Sequence, residues 1–157
     1  MIPELEGLAP IFRTAHQLFH RALDGITESR ARERRDGANP ILWIAGHVVA
    51  IRAGFLKFLG VPIDIPWAKY FPRGGQVKDE ASWPSLNQVR AKWDEVQAAF
   101  MSRLERLTSE QIRATTEGPS LDDSVLGTLS LAALHDTYHV GQLAAARRRY
   151  GLDRIVG

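Results

Sequence analysis

His135 and His139 stand four residues apart in the segment Leu134-His135-Asp136-Thr137-Tyr138-His139-Val140-Gly141-Gln142. On a helix that spacing puts both on one face, with backbones about 6 Å apart along the axis. Two imidazoles so placed reach one metal ion when a third ligand arrives from elsewhere. The only other histidine in a strongly apolar segment is His47. Three neutral imidazoles leave coordination positions open, the arrangement of a catalytic site and not of a closed structural one. An open divalent ion activates water or a thiol at neutral pH and polarises a carbonyl.

Spacing alone does not select this pair, because His16 and His20 repeat it. Position on the helical wheel separates the two. At roughly 100° per residue, His16 lies some 90° and His20 some 130° from the centre of an apolar stripe that is complete without them, so that pair is expected to border solvent. His135 and His139 share a stripe with Thr128, Leu131, Ala132, Gln142 and Ala146, whose small members leave room beside the imidazoles. A single buried histidine is usually a core residue bonded to a carbonyl. Three buried together without metal would need separate partners and would resist protonation, whereas one cation satisfies all three. Rival patterns are missing: there is no His-Glu-x-x-His, Glu-x-x-His, Gly-x-Ser-x-Gly or P-loop.

Bulk composition narrows the class. The 157 residues suffice for a single domain, 1–157, with a real core. Twenty basic against eighteen acidic residues give a net charge of +2, too balanced to argue for nucleic acid or an anionic membrane as partner. With no cysteine, disulfides, thiolate metal sites and a cysteine nucleophile are excluded. The N-terminus has neither a basic region nor an apolar run, so no signal peptide is expected and a cytoplasmic location is the default. Residues 41 to 59 are rich in apolar side chains but include His47, Arg52 and Lys57, which reads as a core helix and not a membrane span.

Four elements must position the histidines. Leu8, Ile11, Phe12, Ala15, Leu18, Phe19, Ala22, Leu23 and Ile26 repeat at 3.6 residues and predict a first helix over 8–25. The arginine-rich run 28–37 reads as a solvated helix end and loop. Asn39-Pro40 supplies a cap and a first-turn proline for a second helix over 41–59, apolar almost all round and closed by Gly60. A long connection, 61–84, follows, with four prolines, the pair Gly74-Gly75, and Trp67, Tyr70, Phe71 and Trp83. Connections this long often cover binding sites. Ser85-x-x-Gln88 and Thr108-x-x-Gln111 are capping boxes for a third helix and a short turn, and a fourth helix spans about 126–149. With no alternating β pattern, the fold class is all-α, a four-helix bundle with a long loop between helices 2 and 3.

Around the histidines, Gln142 lies one turn beyond His139 and suits orienting substrate or water. Trp43, Trp67, Tyr70 and Phe71 are candidates for the wall of a substrate pocket, with plain packing as the competing role. No carboxylate shares a face with a proposed ligand. Asp136 points about 100° away from His135, so a general base would have to come from a loop such as Asp122-Asp123. Two other functions stay open: a non-catalytic bundle or dimer stabilised by metal, and a module binding a small apolar ligand under 61–84.

The helix Trp43-x-x-x-His47, the long interval, and the late His135-x-x-x-His139-x-Gly141-Gln142 resemble the DinB-like superfamily, four-helix bundles that include the YfiT-type metal-dependent hydrolases. The resemblance runs from the first helix to about residue 150. It implies a divalent metal, nickel or zinc with iron as a further option, held by His47, His135 and His139. It also implies homodimers, a small-molecule substrate and, as in relatives that use bacillithiol or mycothiol, a low-molecular-weight thiol activated for S-transfer. Val140 stands where many relatives carry Arg.

Overall fold

The computed structural model describes residues 1–74 and 80–156. Its helices are α1 (Leu8–Leu23), α2 (Glu28–Arg32), α3 (Ile41–Phe58), α4 (Leu86–Glu105), α5 (Ser109–Arg113) and α6 (Val125–Arg148). The four long ones, α1, α3, α4 and α6, form the bundle. α6 packs against α1 and α3, and α4 packs against the same two, so the order around the bundle is α1–α6–α3–α4. α1 and α3 are therefore diagonal, as are α4 and α6. This arrangement puts His47 of α3 directly beside the histidines of α6.

α3 is the centre of the fold. By length and composition it is apolar enough to cross a membrane, yet 72% of it is buried inside the bundle. One core cluster joins its first half to Phe19, Trp93, Val140 and Leu143; another joins Phe55, Leu56 and Leu59 to Phe12, Phe100 and Leu129. Both capping boxes form, at Ser85/Gln88 and at Thr108/Gln111. Gly60 and Gly151 take positive φ (84° and 73°) just past α3 and α6, as helix-ending glycines do.

Two local readings change. α3 begins at Ile41, with Pro40 at the cap position and no side-chain cap, so Asn39 does not serve as one. α6, by contrast, has a side-chain cap in Ser124, whose hydroxyl oxygen accepts from Gly127 N–H. The arginine-rich run is also more than solvated loop. Thr27 caps α2, and Arg32 donates to the carbonyls of Glu80, Trp83 and Pro84 while Glu28 accepts from Leu86 N–H. α2 thereby pins the end of the 61–84 connection to the start of α4. Of that connection, residues 75–79, with Gly75, lie outside the described residues.

Candidate metal centre

α3 and α6 bring His47, His135 and His139 together, each offering one nitrogen within 4.8 Å of the others. His47 Nε2 and His135 Nε2 approach to 3.2 Å. Two imidazole lone pairs at that distance repel unless a positive centre, a proton or a metal ion, lies between them. Nitrogens sharing one tetrahedral zinc sit about 3.4 Å apart, so the approach is that of co-ligands.

The far nitrogen of each ring shows why the near one is available. His47 Nδ1 donates to the Phe71 carbonyl at 3.0 Å, which leaves Nε2 as a bare lone pair. His139 Nδ1 donates to Gln142 Oε1 at 2.8 Å, and the Gln142 amide in turn donates to the Tyr138 hydroxyl at 3.1 Å. His135 Nδ1 is enclosed and faces Asp136 Oδ1 at 3.7 Å; neither atom has a hydrogen-bond partner among the described residues. His47 and His139 thus each have an oxygen bonded behind them, the support that orients metal-binding histidines, while the Asp136 carboxylate stands 3.7 Å behind His135. Burial holds His47 below its ordinary 6.5, and burial together with the neighbouring His135 pushes His139 down to about 4. Both rings are neutral at pH 7, as ligands must be. The donor set fits a divalent ion with positions to spare.

The connection after α3 builds half of this support. Phe71 is fully buried, and its ring lies on Gly46, where an added Cβ would come within 2.7 Å of it. Glycine mid-helix costs about 1 kcal/mol against alanine. Here it admits the ring that carries the Phe71 carbonyl to His47. Trp43 stacks on His47, with centroids 5.1 Å apart and planes 6° from parallel. Trp67 meets Phe71 edge-on at 5.4 Å, and Tyr70 is half-buried against the same core.

A cavity of about 330 Å³ opens beside His135, walled by Ile51, Phe55, Phe58 and Leu131, with Arg73 as the only charged residue in its lining among the described residues. Trp43, Trp67, Tyr70 and Phe71 are not in that lining. Gln142 touches His139 itself. Asp122 accepts from the Ser124 N–H and hydroxyl, which hold its carboxyl below the usual range, and braces the entry to α6. Neither Asp122 nor Asp123 lines the cavity.

Sequence reasoning missed the group behind His135. Asp136 is fully buried and paired with Arg52, whose guanidinium also donates to Gln97 and lies over the rings of Phe12, Trp93 and Phe100. The signal was present. Arg52 stands in a helix apolar on every side, and Asp136 is the only acid in α6. A charge buried there needs a partner. The second histidine pair, His16 and His20, borders solvent as expected, each side chain about a quarter exposed, and it also faces α4, where both rings reach Asp94.

The fold and site define a four-helix bundle with an open cluster of three histidines between α3 and α6. The DinB superfamily model matches residues 11–143, and the chain belongs to that family. Among solved structures it is similar to a DinB-like protein from Bacillus cereus ATCC 10987, with 20% identity, a TM-score of 0.71, and 96% of this chain and 95% of that one covered. It is also similar to YfiT from Bacillus subtilis, described as a probable metal-dependent hydrolase with an unusual four-helix bundle topology. There the identity is 16%, the TM-score 0.68 and the coverage 98% and 91%. At these identities the likeness is one of fold. No curated protein matches.

Proposed function

We propose that this chain is a metal-dependent enzyme, a hydrolase or a thiol S-transferase, acting on a small and largely apolar substrate. The observation that carries the reading is the convergence of three imidazole nitrogens beside an apolar cavity. A divalent ion held by His47, His135 and His139 would supply Lewis acidity, making water or a thiol nucleophilic at neutral pH. Nickel, zinc and iron(II) all accept imidazole. The chain has no cysteine, so in the transferase form the thiol is an external small molecule.

The protein's own residues have separable tasks. Phe71 and Gln142 fix the tautomers of His47 and His139. Ile51, Phe55, Phe58 and Leu131 receive an apolar group and exclude water from it, while Arg73 offers a positive charge to an anionic substituent. Trp43 closes the side of His47 away from solvent by stacking on it.

One observation favours a second reading, in which the metal only braces the bundle: among the described residues no carboxylate lines the cavity to act as general base. Metal content of wild type and His47→Ala, followed by ester-hydrolysis and thiol-transfer panels, separates the two. The enzyme reading expects turnover that needs metal and is lost in His47→Ala. Metal bound through all three histidines with no turnover on either panel would favour the structural role. Full metal occupancy in His47→Ala would remove the site itself.

A further inference from the structure

We propose that His16, His20 and Asp94 form a second divalent-cation site, on the outside of the bundle between α1 and α4. It would take an imidazole-preferring ion such as Zn(II), Co(II) or Ni(II). α1 sets the two histidines one turn apart, and α4 brings a carboxylate across from them. His16 Nε2 lies 3.2 Å and His20 Nε2 2.7 Å from the same oxygen, Asp94 Oδ1. All three ligand atoms fall within 4.8 Å of one another, and no residue is shared with the central cluster.

Each ring has a defined orientation. His16 stacks on Trp93 at 5.8 Å and 27°, and His20 meets Phe19 edge-on at 5.8 Å. His16 Nδ1 is enclosed without a partner, so Nε2 is the nitrogen that ring presents outward. Burial lowers the pKa of His16, which keeps it neutral and able to bind metal. A carboxylate oxygen only accepts, so without metal both Nε2 atoms must carry their proton toward Asp94. On binding, His16, which burial keeps neutral, moves that proton to Nδ1 and its Nε2 lone pair turns to the cation, and His20 gives up its Nε2 proton, to Nδ1 or to solvent, as the ion takes its place. For His16 the moved proton would lie on an enclosed nitrogen, which makes His16 the weakest of the three ligands. Two histidines and one carboxylate hold a first-row ion while leaving positions open. With the Asp94 side chain 56% exposed, those positions face solvent. The ion would tie α1 to α4 along their seam.

The test is Zn(II) stoichiometry by titration calorimetry on wild type, His20→Ala, Asp94→Ala and His139→Ala, with thermal melts to check folding. His20 and Asp94 are partly exposed, so their variants leave the core intact. Two equivalents are expected in wild type and one in His20→Ala. Asp94→Ala should weaken the outer site at least tenfold, and the metal-dependent rise in Tm should shrink in both outer variants. Two equivalents retained in His20→Ala overturn the site. So does a single wild-type equivalent that His139→Ala removes and His20→Ala keeps, an outcome that leaves the central site standing. A single equivalent with the opposite dependence upholds the outer site and counts against the central one.

Discussion

The groups that touch the three histidines matter as much as the histidines. Outer partners of a metal-binding imidazole typically change affinity 10- to 100-fold when removed. Gln142→Leu should therefore weaken Zn(II) binding by about tenfold or more, because it removes the acceptor of His139 Nδ1–H without touching a ligand. Calorimetric titration checks it, and unchanged affinity would place Gln142 outside the site. Gly46→Ala tests the other side. Helix propensity would stabilise the alanine variant by about 1 kcal/mol, but its Cβ meets the buried Phe71 ring. Overpacking costs typically 1–3 kcal/mol, so the expected net effect is a loss of stability in denaturant titration together with weaker metal binding. The partner of His47 Nδ1 was not legible beforehand, since a backbone carbonyl 24 residues away leaves no trace in residue types. Gln142 was visible by its position, but not the atom it serves.

Between elements, the buried pair of Arg52 on α3 and Asp136 on α6 fixes how the two histidine-bearing helices meet. Burial pulls the guanidinium pKa down and the adjacent Asp136 carboxylate offsets it, so the ion pair survives within the core. Removing one partner strands a buried charge, which costs about 3–5 kcal/mol. Arg52→Met should lose that much in urea unfolding, and Arg52→Met/Asp136→Leu should recover most of it. A single variant as stable as wild type would contradict the pairing. The helix ends were the most readable feature: Ser85-x-x-Gln88 and Thr108-x-x-Gln111 carry their geometry in four residues each. Asn39-Pro40 misled because the chain enters α3 in extended conformation at Pro40, and the helix starts one residue later without a cap. The wheel position of His16 and His20 was read against one apolar stripe. It could not show that α4 packs on that edge and brings Asp94 to it.

At the scale of the molecule, the fold class and the three central histidines followed from periodicity and spacing, because a four-helix bundle has one interior and α3 had to occupy it. The cavity beside His135 did not, since it depends on how Phe55, Phe58 and Leu131 fail to meet across two helices. Burying neutral imidazoles has a cost that shows in pH. His47 and His139 hold protons less well folded than unfolded, so the unfolded chain takes up protons first as pH falls below 6.5. Stability of the metal-free protein should be level above pH 6.5 and decline from there toward pH 4. Thermal melts across that range should show a shallower decline for His139→Gln; identical slopes would contradict the assignment. The central claim is that one divalent ion sits among His47, His135 and His139. Anomalous diffraction from crystals loaded with Zn(II) and measured at the zinc edge tests it most directly. The account predicts a peak within about 2.1 Å of one nitrogen from each of the three rings. A zinc-loaded crystal with no peak between these rings would contradict it.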